Sequence, residues 1–476
     1  MLETHDIQGL ILSGYAGHPF AAYLFLTVRA EADPRRWLGQ VGERITGAEK
    51  FDRQRERSIN IAFTYKGFVR LGLGANTMKT FPLEFIEDMS APARAQMLGD
   101  NPDDWMWGKP DHRIHILLML FARDQHTLSD LLRAERRAAQ GILNEELAIE
   151  SQTFPFSSGS KLNHEHFGFV DGLAQPDIAG YRPEKHGANG PGNEIKAGEF
   201  ILGYENEYFG QLTASPHLRA PDADPGGMLQ AGDFGRNGTY LVVRQMEQDV
   251  AGFWGMIRAQ CLQAKGTPDV AAEEALAAKI FGRWRDGTPV AVSPNHNGGN
   301  PNRLNDFGFS EDAYGEKCPL GAHIRRANPR EMLLSDKKDS ITTVKRHRML
   351  RRGRPYGPRI PDRYTPDGQA RGLVFAALNG NIERQFEFIQ QAWISSPNFA
   401  GLYDEADPML GGRTQNAGTF SMQKCPVRER QSGIMPHVAV KGGAYFFMPG
   451  LAALRYLSAC GASSSLAVNQ VVEGIK

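Results

Sequence analysis

Three short segments carry side chains whose types and spacing suit chemistry. The first is Asn163-His164-Glu165-His166-Phe167-Gly168-Phe169-Val170-Asp171-Gly172. Asp171 stands in Gly168-x-x-Asp171-Gly172, and glycines let a backbone bend sharply and approach a flat ligand. A carboxylate held there can shuttle a proton, although a bare G-x-x-D-G is equally the composition of an ordinary turn. His164 and His166 flank Glu165, a spacing that faces both rings to one side of a strand but not of a helix. Metal-assisted hydrolysis is one reading of that pair, but no H-E-x-x-H follows and no third ligand is obvious.

The second segment is Cys318-Pro319-Leu320-Gly321-Ala322-His323-Ile324-Arg325-Arg326-Ala327-Asn328-Pro329-Arg330. His323 is one of 13 histidines, and taken alone it reads as a hydrogen-bonded loop or core residue. A neutral imidazole is also a common haem-iron ligand, and Gly321 and Ala322 leave room for a flat macrocycle. The arginines suit propionates, which they meet in bidentate fashion. Cys318 offers a thiolate as an alternative ligand. The third segment, Lys345-Arg346-His347-Arg348-Met349-Leu350-Arg351-Arg352-Gly353-Arg354-Pro355-Tyr356-Gly357, is strongly basic. It reads as a solvated face, a nucleic-acid patch, or a sink for propionate charge and for the charge that develops as a peroxide bond breaks.

The elements that must position these segments come in two similar sets. In the first, a strand is expected over 21–29, followed by a helix with Asp33 as N-cap and Pro34 at its first position. Trp37, Leu38, Val41 and Ile45 share one face of that helix. A strand with Ile59, Ile61 and Phe63 alternating inward follows, then a strand over 113–122, a helix capped by Asp124 and a strand over 145–150. The order β-α-β-β-α-β is that of a ferredoxin-like unit. The second set runs through a strand at 239–246, a helix capped by Asp249, a strand at 372–378, a helix marked by Ile382, Phe386, Ile389 and Trp393, a strand at 444–448 and a helix from about Leu451. The expected architecture is a duplicated α+β fold with antiparallel sheets, an N-terminal half over 1–235 and a C-terminal half over 236–476. Two long Gly/Pro/Asn-rich stretches, 175–236 and 293–312, lie beside the chemically suggestive residues, and loops of that length are usually functional or disordered.

The bulk properties narrow the field. The 476 residues are 41% hydrophobic and 23% charged, enough for a sizeable core, and 54 basic against 54 acidic side chains argue against a chain built to neutralise phosphate. No apolar run approaches the ~18 residues that span a bilayer. Met1-Leu2-Glu3-Thr4-His5-Asp6 shows no basic n-region before an apolar run, so a cytoplasmic protein is expected. The tail 471–476 shows no obvious targeting signal. Cys261, Cys318, Cys425 and Cys460 are scattered without a C-x-x-C pair, and the C-x-x-C-H signature is missing, so any haem is expected to be held non-covalently.

Together the segments resemble the dye-decolourising peroxidase family. The resemblance is carried by His166-Phe167-Gly168-Phe169-Val170-Asp171-Gly172, by Gly321-Ala322-His323-Ile324-Arg325 with Asn328-Pro329-Arg330, and by Arg351-Arg352-Gly353 before Pro355-Tyr356-Gly357, in the family's order. Arg371-Gly372-Leu373-Val374-Phe375, Ile382-Glu383-Arg384-Gln385-Phe386 and Gly442-Gly443-Ala444-Tyr445-Phe446-Phe447-Met448-Pro449 extend it. It implies a dimeric α+β barrel of two ferredoxin-like halves, with haem b mostly in the second. It implies His323 as proximal ligand, Asp171 and Arg351 over the distal face, and Leu373 and Phe375 lining a pocket that admits peroxide. Gly172 falls in the same loop, His166, Arg325 or Arg330 would touch propionates, and Glu383 would hydrogen-bond the proximal histidine. The crowd Arg348, Arg351, Arg352 and Arg354 leaves the register of the distal arginine open, and Arg351, two residues before Gly353, is the expected one.

The implied activity is reduction of hydrogen peroxide and single-electron oxidation of dyes and phenolics through a high-valent iron. Its partners are peroxide and small organic reductants, with no nucleic acid and no membrane, and a homo-oligomer is compatible with it. Bulky reductants would pass electrons through a surface Tyr or Trp, for which Trp393 and Tyr356 are candidates. The alternative is a haem-binding or haem-delivery protein of the same fold, which needs His323 but not Asp171 with Arg351.

Overall fold

The computed structural model describes residues 1–49, 55–111, 113–155, 162–181, 192–224, 226–295, 304–411 and 418–459; Cys460 and the tail 471–476 lie outside the described residues. Strands β1 (Phe20–Val28), β2 (Arg57–Phe63), β3 (Ile116–Ala122) and β4 (Leu143–Gln152) pair antiparallel in the spatial order β4-β1-β3-β2. The helix Arg35–Gly42 joins β1 to β2, and Gln125–Ala139 joins β3 to β4. This is the ferredoxin-like unit read from the sequence.

The second unit repeats it. Strands β5 (Thr239–Gln248), β6 (Leu350–Arg351), β7 (Arg354–Tyr356), β8 (Gly372–Asn379) and β9 (Val438–Met448) follow in the chain. β5 lies between β8 and β9, and β6 and β7 both pair with β8, so the order β9-β5-β8-β7 matches that of the first unit. The sheets join at two thin seams, Tyr356 opposite Ser151 and Phe447 opposite Phe63, which close a barrel.

Strand alternation explains why both faces are apolar. Ala21, Tyr23 and Phe25 of β1 pack with Val243, Val374, Ala376 and Phe446 inside the barrel. Ala22, Leu24 and Leu26 turn outward beneath Trp37, Leu38, Leu128 and Leu131 of the helices. Helix starts follow the expected chemistry: Asp124 accepts from Thr127 N at 2.8 Å, and Asp249 from Gly252 N at 2.9 Å. The first helix starts one residue later than expected, with Pro34 at the N-cap, yet Asp33 still accepts from Arg35 N at 3.1 Å.

Two differences bear on the site. The segment expected as an α-helix around Ile382–Trp393 winds as a π-helix over Glu383–Glu387 and Ile389–Ile394, with bonds five residues back such as Glu387 N to Ile382 O at 3.0 Å. A helix unread in the sequence, Val270–Phe281, is capped by Asp269 at its start and by Gly282 at φ +89° at its end. It opens the long insertion between β5 and β6 that carries His323.

Candidate active site

The outer face of the second sheet forms the floor of a cavity of about 270 Å³. Met246, Leu373 and Phe375 project into it from adjacent strands, while Val374 and Ala376, one residue out of phase, point into the barrel. The π-helix contributes Phe386, Ile389, Gln390 and Ile394. The insertion contributes His323, Ile324 and Ala327, and the loop after β4 contributes Asp171 and Gly172. Segments separated by hundreds of residues thus meet at one apolar hollow with a few polar groups, the usual form of a small-molecule site.

His323 begins the short helix His323–Ala327. Its Nδ1 donates to Asp407 Oδ2 at 3.0 Å, and Asp407 Oδ1 is fixed by the amides of Met409 and Leu410, both at 2.8 Å. That bond fixes the tautomer and leaves the Nε2 lone pair available to a ligand. Burial opposes protonation of the imidazole, but the Asp407 carboxylate outweighs it and the basicity of His323 is raised. Burial likewise opposes charge on Asp407, yet His323 and Arg326 hold its pKa below the usual range. The side chain of His323 is 26% exposed, and it borders the cavity.

The expected partner of this histidine was Glu383, and the structure corrects it. Glu383 is exposed on the π-helix, while the fully buried Asp407, 84 residues beyond His323, makes the bond. Asp407 was missed in the sequence. Its signal is local: an Asp whose side chain captures the amides two and three residues on, in Asp407-Pro408-Met409-Leu410.

The other wall is looser. Asp171 Oδ1 accepts from Gly172 N at 2.6 Å, and Oδ2 receives no hydrogen bond among the described residues. Gly168, at φ +97°, makes the preceding turn, where a Cβ would lie 2.6 Å from Arg285. Arg351 ends β6; its amide donates to Gln175 Oε1 at 2.9 Å, and its guanidinium takes no hydrogen bond or ion pair among the described residues. Gly353 then lets the chain cross β8, since a Cβ there would lie 2.8 Å from Val374 O. Of the four arginines in this stretch, Arg348 and Arg351 line the cavity. Arg352 bonds the carbonyls of Leu10 and Ile11, and Arg354 those of Gly14, Tyr15 and His18.

Three of the expected propionate contacts lie elsewhere. Arg325 is two residues from His323 on one helix, so it faces away; its guanidinium bonds Asp312 and the Cys318 carbonyl. His166 donates from Nε2 to the Tyr356 carbonyl at 2.8 Å and does not line the cavity; burial pushes its pKa down to about 4. Arg330 bonds Asn305 and the Phe307 carbonyl beside the cavity. The cavity instead receives Arg283, unread in the sequence, together with Arg348. Among the described residues their hydrogen-bond partners are carbonyls and an amide oxygen, and burial lowers their pKa to about 10 and about 9.

The remaining alternatives fare poorly. Cys318 is buried outside the cavity lining and burial pushes its thiol up to about 12, the reverse of a thiolate site. His164 Nδ1 bonds the Glu165 carbonyl, and no cluster of three His, Cys, Asp or Glu suited to a metal occurs among the described residues. Trp393 and Tyr356, expected as surface relays, are 4% and 6% exposed because they pack into apolar clusters.

The donor set fits a haem. One imidazole with Nε2 available borders an apolar hollow, and buried guanidinium groups with no carboxylate hydrogen-bond partner among the described residues lie in its lining, as two propionates require. No family model matches the chain. The dye-decolorizing peroxidase msp1 of Mycetinis scorodonius is 27% identical over 480 residues, covering 95% of this chain and 87% of that one. The multifunctional dye peroxidase DyP2 of an Amycolatopsis species is 29% identical over 422 residues, covering 84% and 82%. The solved structure of an ancestral D-type dye decolorizing peroxidase superposes with a TM-score of 0.77 at 27% identity, covering 96% of this chain and all of that one. In sequence and in fold the chain is thus similar to dye-decolourising peroxidases over nearly its whole length.

Proposed function

We propose that the protein is a haem peroxidase that reduces hydrogen peroxide and oxidises organic molecules, dyes and phenolics among them, one electron at a time. The observation that carries this reading is the pairing, around one cavity, of a histidine with its Nε2 available and a carboxylate–guanidinium pair, Asp171 and Arg351. His323 would hold haem b, with Arg283 and Arg348 near its propionates. Non-covalent binding is supported by the missing C-x-x-C-H motif and by a cavity lining without cysteine.

Bound there, the haem iron supplies the site at which peroxide is activated and from which electrons are drawn. The residues do the rest. Asp407 keeps the proton of His323 on Nδ1 and enriches the ligand in electron density. Asp171 takes the proton from the inner peroxide oxygen and returns it to the outer one. Arg351 stabilises the negative charge on the departing oxygen as the bond breaks heterolytically. Leu373 and Phe375 keep bulky groups and excess water from the reacting atoms.

The test is stopped-flow absorption of the haem-loaded protein mixed with peroxide. The wild type should form a first intermediate and return through it when a reductant is supplied; a haem carrier would bleach. Asp171→Asn and Arg351→Leu should both be slow in that first step. Wild-type rates in both variants would show that these residues do not have these roles.

A further inference from the structure

A second carboxyl group, Glu165, lines the cavity together with Asp171, and the chemistry above leaves it unused. It is 6% exposed and sits in a tight hairpin that ends at Asp171. In that hairpin His164 pairs with Val170, and the Asp171 amide donates to the Asn163 carbonyl at 3.0 Å. The Glu165 carboxyl fills the turn between them. Its Oε2 accepts from Phe167 N at 2.9 Å and its Oε1 from Phe169 N at 2.8 Å. In the backbone, Glu165 N donates to the Phe169 carbonyl and Gly168 N to the Glu165 carbonyl, both at 3.0 Å. Asp171 thus stands two residues past a turn that one side chain holds shut.

The remaining partner of Glu165 is Gln248 at the end of β5, whose Nε2 donates to Oε2 at 2.5 Å. Gln248 also lines the cavity, and its Oε1 is buried without a hydrogen-bond partner among the described residues. No other bond to this side chain therefore decides which end of the amide faces Glu165. The NH2 end donates to a carboxylate; the oxygen end accepts from a neutral carboxyl. A neighbour that can serve both forms suits a group that changes charge in use.

No ion pair reaches Glu165 among the described residues. Its own hairpin carries Asp171 and two histidines that burial holds toward the neutral form, His166 at a pKa of about 4 and His164 below the usual range. The cations on the elements around it are paired elsewhere: Arg285 with Glu274 at 3.3 Å, Arg371 with Asp367 at 2.5 Å, and His437 with Asp249 at 3.5 Å. Glu247 faces Lys441 at 3.6 Å, Arg359 is exposed over the Phe154 ring, and burial keeps the Tyr356 phenol neutral, its pKa pushed up to about 12. His323, Arg283, Arg348 and Arg351 line the same cavity without an ion pair to Glu165. Burial therefore pushes the Glu165 pKa up to about 7 against the two amides and Gln248, and the charge of Asp171 adds to the rise. Like charges so placed are coupled. While Glu165 is ionised, Asp171 holds a proton more firmly and is the stronger base. Once Glu165 is protonated the repulsion is gone, and Asp171 keeps its charge into more acid solution.

We infer that Glu165 is a positioning residue for peroxide activation: its carboxyl holds the hairpin that presents Asp171, and its charge, accommodated by Gln248, sets the proton affinity of Asp171. The inference rests on the peroxidase reading above, which makes Asp171 the proton carrier. Glu165 acts through Asp171 and not on peroxide itself. As pH rises through neutrality, Glu165 gives its proton to water and Gln248 turns its NH2 end inward. Asp171 then becomes better able to take the first proton from peroxide.

The experiment uses haem-loaded wild type, Glu165→Gln and Gln248→Met, each titrated through neutrality. One readout is infrared difference absorption, which follows the carbonyl stretch of protonated carboxyl groups. The other is the stopped-flow rate of the first peroxide step. The wild type should lose a carboxyl band as pH rises through about 7, and Glu165→Gln should lack that loss. The wild-type rate should rise about threefold or more over the same interval. Glu165→Gln should be slower than the ionised wild type and show no such rise. Gln248→Met leaves both hairpin amides on Glu165 and removes a donor to the carboxylate, so band and rise should both move to higher pH. It keeps the test sound if Glu165→Gln loosens the hairpin. Identical infrared titrations in wild type and Glu165→Gln, a rise that persists in Glu165→Gln, or an unmoved band in Gln248→Met overturns the inference and leaves the peroxidase reading standing. A wild-type haem spectrum that responds to peroxide at no pH overturns both.

Discussion

The two walls of the cavity are built to opposite specifications. On the His323 side every polar atom that matters is tied: Nδ1 to Asp407, and Asp407 to two amides. On the Asp171 side one carboxylate oxygen and a whole guanidinium lack partners among the described residues. A metal ligand works when its proton and orientation are fixed. A proton carrier works when its acceptor atoms are left open to substrate. The difference therefore assigns roles to the walls more strongly than either wall does alone.

The comparison breaks first at its loose side. Asp171→Asn should slow the first peroxide step by about 10²–10⁴-fold while the resting haem spectrum stays in place, as checked by stopped-flow absorption. An equal loss of haem binding would show that the loose wall is structural after all.

Acid should act on the scaffold. Burial holds His115 and His166 at pKa values of about 4, and protonation would break the bond from Val28 N to His115 Nδ1 at 2.9 Å. The unfolded chain titrates these groups near 6.5, so it binds more protons between about 6.5 and 4. Their contribution is present above that window and is lost as pH falls through it, by about 3 kcal/mol for each histidine. Denaturant melts of the haem-free protein across the window measure the loss, and His166→Gln should make the slope shallower.

The tied wall is sharpened by Asp407→Asn. Haem affinity should drop by about 10–100-fold, read from transfer of haem to an acceptor apoprotein. The smallest effect belongs to Glu383→Gln, which should leave haem affinity and the haem spectrum where they are. A large effect there would return the hydrogen bond to the proximal histidine to the π-helix.

These residues also show what a sequence can reveal. Asp171, His323 and Arg351 sit in compact segments where glycines and small residues mark the close approach, so they were legible along the chain. Asp407 was not, because its bond to His323 depends on how 84 residues fold back. Glu383 was expected from the family resemblance and not from spacing, and in the structure it is exposed on the π-helix while Asp407 makes the bond. Arg325 is excluded only once the short helix His323–Ala327 is seen, since residues two apart on a helix face opposite ways. Arg283 carried no local mark; its place follows only from the helix Val270–Phe281, whose caps were present in the sequence but unread. The first β-α-β-β-α-β rhythm was legible because each strand and helix declares its own period; the second was read without β6 and β7, which are only two and three residues long. The seams were not, because each rests on a single pair of residues.

The lining of the cavity runs from Glu165 in the loop after β4 to Val438 at the start of β9. A ribosome adding roughly 5–20 residues per second needs tens of seconds to cover that distance. Asp171 waits through nearly all of that interval, and His323 through its later part, without the hollow that unites them. The pocket is completed only when the last strand pairs, so cofactor capture belongs to the finished chain rather than to the growing one.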